Sequence, residues 1–109
     1  MSATSRVFIT QESDKLNFTS AEEFGEVVFL TRDELSHIKG SLINSAITQE
    51  IRGKLAGFDP HQDYIAPAGS PVVTGLAFLL LSERLHGQPV RVLRWSNRDR
   101  AYAPITLQV

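Results

Sequence analysis

No cysteine occurs in the sequence, so it holds no disulfide, no thiolate nucleophile and no cysteine-ligated zinc. There is one methionine, at the start, and one tryptophan, Trp95. The longest apolar run lies within Val72–Leu81 and is too short to span a bilayer. The first ten residues, MSATSRVFIT, lack the basic-then-apolar pattern of a secretory signal. Repeats, low-complexity segments and domain linkers are also missing. These absences argue against a disulfide-built secreted domain and a membrane protein. A soluble, cytoplasmic protein is expected, with no cofactor and no metal. What is present is ordinary for a globular chain: 109 residues, 42% hydrophobic and 21% charged. That fits one domain over 1–109 with one core, and Met1–Ser5 should fray.

Neither sign of charge dominates overall, the net being −1, but the two signs are separated. Residues 1–83 carry six cations against 11 acids, a net of −5. Residues 84–109 carry five arginines against Asp99 alone, a net of +4. A basic end on an acidic remainder hints at an anionic partner.

The centre of the chain is Asp63–Gly87, which reads as a short strand, a tight turn and an apolar helix. Ser70 is placed to cap the helix and Pro71 to begin it. From Val72 to Leu81 only Thr74 is polar, so Pro71–His86 is expected to be the most buried element. Gly87 and Pro89 stop it. Arg6–Thr10 and Glu26–Thr31 read as strands. The second is apolar on both sides, Val27 and Phe29 against Val28 and Leu30, which points to a central, doubly covered strand. Ser20–Glu23 and Thr31–Glu34 have capping-box spacing, and each should start a helical turn. Ile43, Ile47, Ile51 and Leu55, beside Leu35, Ile38, Leu42 and Ala46, recur at helical spacing, giving a helix over Ser41–Ala56 with Ser41 as its cap. Pro89–Trp95 and Ala101–Val109 form a C-terminal hairpin. Pro104 makes its last strand an edge. The expected fold is α/β, a single-domain mixed β-sheet with two main helices in the order β-β-α-β-α-β-β. The strands flanking the Pro71–His86 helix should be parallel and the last two antiparallel.

Three stretches carry a likeness beyond these patterns: Asn17–Thr31 (NFTSAEEFGEVVFLT), Asp63–Ala77 (DYIAPAGSPVVTGLA) and Leu93–Ile105 (LRWSNRDRAYAPI). Together they resemble a small protein family common in bacteriophages and prophages. The resemblance implies a phage accessory protein working in the host cytoplasm, and it implies no activity.

Three groups of residues could carry chemistry. The turn at Gly69 and Ser70 follows a strand and opens a helix, where free amides favour an anion. The simpler reading is a capped strand-to-helix turn. Ser70 as a nucleophile lacks a named base. Asp59, His61 and Asp63 alternate and could ligate metal, but Asp63 is better read as holding the strand entrance through backbone amides. The hairpin mixes Arg91, Arg94, Arg98 and Arg100 with Trp95 and Tyr102, as phosphate-tracking, base-stacking surfaces do and as protein hot spots do. A plain solvated hairpin would have the same composition. With Ser96 paired to Ala101, Trp95 meets Tyr102, Leu93 meets Pro104 and Arg91 meets Thr106 on an outer face. Arg94, Val92 and Val90, with Ala103, Ile105 and Leu107, then turn to the core. The leading expectation is a non-enzymatic binding module engaging a host protein or nucleic acid through Arg91, Trp95, Arg98, Arg100 and Tyr102. The alternatives are a nucleotide- or anion-binding protein or enzyme using Gly69 and Ser70, and a structural protein forming a homodimer through the edge strand.

Overall fold

A computed structural model describes residues 4–109; of the end expected to fray, residues 1–3 lie outside the described residues. Five strands form one sheet in the order β2-β1-β3-β4-β5. They are β1 (Arg6–Ile9), β2 (Glu26–Phe29), β3 (Tyr64–Ala66), β4 (Val90–Ser96) and β5 (Ala101–Leu107). β1 through β4 run parallel, and β5 returns antiparallel to β4. Helix α1 (Leu42–Leu55) links β2 to β3, and helix α2 (Pro71–Leu85) links β3 to β4. The expected α/β fold and element order are therefore present.

Alternation along the strands divides the core in two. Phe8, Ile65 and Val92 point to one face and meet Ile47, Ile51 and Leu55 of α1 and Val73, Ala77 and Leu81 of α2. Val7, Ile9, Ala66 and Leu93 point to the other face, which is covered by Ala21, Phe18 and Phe24 from the connection between β1 and β2. That connection holds a 3-10 helix, Thr19–Glu23, ending before Gly25 at φ +154. Its start is fixed by Asn17 Oδ1, which accepts from Thr19 N at 2.9 Å, and no side chain caps it from Ser20.

Five expectations need correction. β2 is an edge strand, not a central one. Val28 and Leu30 do face the helices while Val27 and Phe29 face the other layer, but two-sided apolarity reports covering layers, not lateral position. Its edge is blunted by Lys54, whose Nζ donates to Phe29 O at 2.7 Å. Residues 31–40 form no helical turn. Thr31 Oγ1 accepts from Asp33 N at 3.1 Å, and the Asn44 amide bonds both Ser36 N and Ser36 O at 2.7 Å. Such bonds satisfy the backbone without a helix.

The most buried element is β1, with Val7, Phe8 and Ile9 at no more than 1% exposure, and not α2. Among the described residues nothing covers the outer side of the helix layer, so α2 leaves Val72 and Leu79 exposed at 65% and 71%. α2 also ends one residue early, because His86 itself takes the left-handed conformation at φ 49. Finally, the hairpin register is the expected one, but its faces are not simply core and solvent. Leu93 is fully buried on the face expected to be outer, while Ile105 and Leu107 are exposed on the helix side, where α2 covers β4 but stops short of β5.

The helices test this layering. Leu80→Ala should cost about 2–5 kcal/mol, whereas Leu79→Ala, one residue away on the open face, should change stability by less than about 0.5 kcal/mol. Urea denaturation giving similar losses at both positions would contradict a single helix layer.

Candidate functional site: a basic and aromatic cleft beside the hairpin

The chain leaves β1 toward one face of the sheet and leaves β3 toward the other. A crevice at the carboxyl ends of two such strands is where open α/β sheets commonly take ligands. Here the chain fills it with its own side chains. Thr10 is fully buried; its Oγ1 donates to Ala68 O at 2.7 Å, accepts from Ala68 N at 2.8 Å and lies 3.1 Å from Thr74 Oγ1. Gln11 Oε1 accepts from Ser70 N at 2.6 Å, and Gln11 Nε2 donates to Asp33 O at 2.9 Å. The Ser70 amide that the sequence offered to an anion is thus already bonded, and Ser70 Oγ accepts from Val73 N at 3.5 Å as the helix cap. Gly69 sits at φ +80 with Gln11 packed where its Cβ would be. An anion at Gly69 and Ser70 would have to displace Gln11.

Asp63 holds the strand entrance. It is 2% exposed and accepts from Arg6 N at 2.9 Å and Asp59 N at 2.8 Å, with the Arg6 guanidinium at 3.2 Å. Arg6 also donates to Gly57 O. Asp59 Oδ1 accepts from His61 N at 2.9 Å, so this trio is occupied in shaping its loop. Among the described residues no group of three or more acidic or histidine side chains could hold a metal.

The hairpin residues do not all converge. Arg91 lies away from the others, its guanidinium carbon 4.3 Å from the centre of the Tyr64 ring and its NH1 3.3 Å from the Tyr64 hydroxyl. Its buried Nε has no hydrogen-bond partner among the described residues. Fully buried Leu93 lies between it and Trp95 along the strand. Arg98 is exposed in the turn. Trp95, Arg100 and Tyr102 come together. The two rings meet edge to face at 5.1 Å, and Trp95 Nε1 donates to Asn97 Oδ1 at 2.9 Å. Trp95 is 39% exposed, open to a partner.

These three residues form one wall of a cleft of about 510 Å³. The opposite wall is the segment from Lys15 to Phe18 with Ser20, and Pro67 and Ala68 form the floor. Lys15 and Phe18 joined the site only on folding. No local pattern linked them to a hairpin some 80 residues on. The lining contains two cations and three aromatic rings but no acid and no histidine. Beyond the ridge made by Leu16 and Phe18 lies a second, more open groove of about 900 Å³, lined by Glu12, Asp14, Glu22 and Glu26. The charge separation seen along the sequence is therefore repeated across one ridge of the surface.

A family model described as phage Pam3 gp32-like protein matches residues 5–109. No curated protein and no solved structure matches the chain.

Two measurements test this geometry. Gly69→Ala should cost at least about 1–2 kcal/mol from its positive φ alone, and more from contact with Gln11. Combined with Gln11→Ala, the loss should be smaller than the sum of the single losses. Additive losses in urea would mean that the two residues are not in contact. Burial also raises the Tyr102 phenol above its ordinary value of 10.0. The fold therefore favours the neutral phenol. That stabilisation is whole below the unfolded value and is lost as pH rises through the folded one. Tyr102→Phe should flatten the alkaline fall in stability above about pH 10, read from denaturation midpoints of the two proteins.

Proposed function

The chain belongs to the phage Pam3 gp32-like family, and from that premise we propose that it acts as a non-enzymatic accessory module that engages a host macromolecule, protein or nucleic acid, through its C-terminal hairpin. One observation carries this reading: Trp95, Tyr102 and Arg100 line a concave surface together with Lys15 and Phe18. An exposed indole packed on a half-buried phenol ring, beside two cations, has the make-up of a contact surface. Neither Lys15 nor Arg100 has a salt-bridge partner among the described residues.

The same lining supports binding over catalysis. It offers no carboxylate or imidazole to act as a base near neutral pH. Ser70 is used as a helix cap and Asp63 as a loop anchor. No described helix is long and apolar enough to cross a membrane. A homodimer through β5 is less well supported, because Pro104, midway along that edge, has no N–H to give a partner strand.

Trp95→Ala tests the reading. Capture of partners from host lysate by the immobilised protein should fall at least tenfold, with the melting temperature little changed because Trp95 is not buried in the core. Undiminished capture by a folded Trp95→Ala protein would rule the hairpin out as the contact surface. Nuclease treatment of the lysate separates a nucleic-acid partner from a protein one.

A further inference from the structure

The cleft narrows the class of partner, on the premise that the hairpin is the contact surface. We infer that it receives one base of a single-stranded nucleic acid, the base lying against Trp95, Tyr102 and Phe18 and a neighbouring phosphate lying between Lys15 and Arg100.

Shape is the first reason. At about 510 Å³ the cleft is a half-open concavity of a size that suits a small planar group. Charge is the second. Both ionisable cations of the lining lack a salt-bridge partner among the described residues, and no acid lines the cleft to compete with a phosphate. The acids on the far side of the Leu16–Phe18 ridge repel a phosphate chain from that direction, so the strand leaves past the hairpin turn and Arg98. The third reason is rigidity. Asn97 and Tyr102 hold the indole before any ligand arrives, which lowers the entropy lost on stacking.

Arg100 adopts φ +51, the left-handed conformation that closes the hairpin turn before β5 and that glycine takes freely.

Part of the polar lining is already engaged: both polar atoms of the Ala68 backbone are bonded to Thr10, and Asn17 Oδ1 accepts from Thr19 N. The Ser20 and Tyr102 hydroxyls also line the cleft, and the three aromatic rings make stacking its main contact. Stacking tolerates every base, so binding should discriminate weakly by sequence. A duplex, whose bases are already stacked and paired, should be refused.

The chain's single tryptophan is the reporter. Titrating the full chain with a short oligothymidylate should quench Trp95 saturably, with an oligoadenylate of the same length binding within about tenfold. One phosphate held between Lys15 and Arg100 predicts a log–log salt slope of about −0.7, or roughly a 2.6-fold loss of affinity between 50 and 200 mM salt. Arg100→Gly should weaken binding and flatten that slope without lowering the melting temperature, because glycine suits the backbone there. Phe18→Ala should weaken binding about 5- to 150-fold. Thymidine monophosphate binding as tightly as the oligonucleotide would instead assign the cleft to a free nucleotide. Equal affinity for a duplex would overturn the stacking arrangement. Quenching by no nucleic acid, while Trp95→Ala still abolishes capture from lysate, would overturn this inference and leave the hairpin as a protein-binding surface. Capture unaffected by Trp95→Ala would overturn both.

Discussion

The turn from β3 into α2 is fastened by two side chains at the end of β1, and much of the structure follows from that closure. Thr10 bonds both backbone atoms of Ala68, and Gln11 bonds the Ser70 amide and the Asp33 carbonyl. The Thr10 and Gln11 side chains are buried, and leaving either without its partners would cost about 1–3 kcal/mol. The network fixes where α2 begins and ties the segment after β2 to the centre of the sheet. It also sets the floor of the cleft, since Ala68 belongs to both. Gly69 is required at this point because Gln11 occupies the space a Cβ would need.

Filling that crevice moves the available binding surface sideways. The carboxyl ends of parallel strands are the natural place for a ligand, but the gap between β1 and β3 is spent on holding the fold. The open space lies one strand over, between the Lys15–Ser20 segment and the hairpin. It sits on the face without helices, where a short 3-10 helix and irregular chain cover the sheet only in part. Incomplete cover leaves Trp95 and Tyr102 partly exposed, while fully buried Leu93 shows how the same strand behaves where the cover is complete.

Much of the fold was legible locally. Ser41 and Ser70 cap the helices as their positions indicated, and Pro104 lies on an edge. The hairpin register followed from a four-residue turn at Asn97–Arg100. The site was legible in part. Trp95, Arg100 and Tyr102 come together, but Arg91 is stacked on Tyr64 and serves the packing of that face. Strand alternation placed Arg91 and Trp95 on one side correctly; it carried no sign that the covering chain would divide that side. Gln11 became the plug of the central crevice because only folding brings it within reach of Ser70.

The sequence by itself determined the elements and their periodicities: which residues start the two main helices, which alternate along each strand, and that the basic charge lies in residues 84–109. These depend on neighbours within a few residues. The tertiary structure decided lateral order and partnership, namely that β2 is an edge, that β1 is the most buried strand, and that Lys15 and Phe18 line one cleft with Trp95, Arg100 and Tyr102. Those outcomes depend on how two unequal layers share one sheet, and a strand apolar on both sides looks the same at its edge as at its centre until the layers are in place.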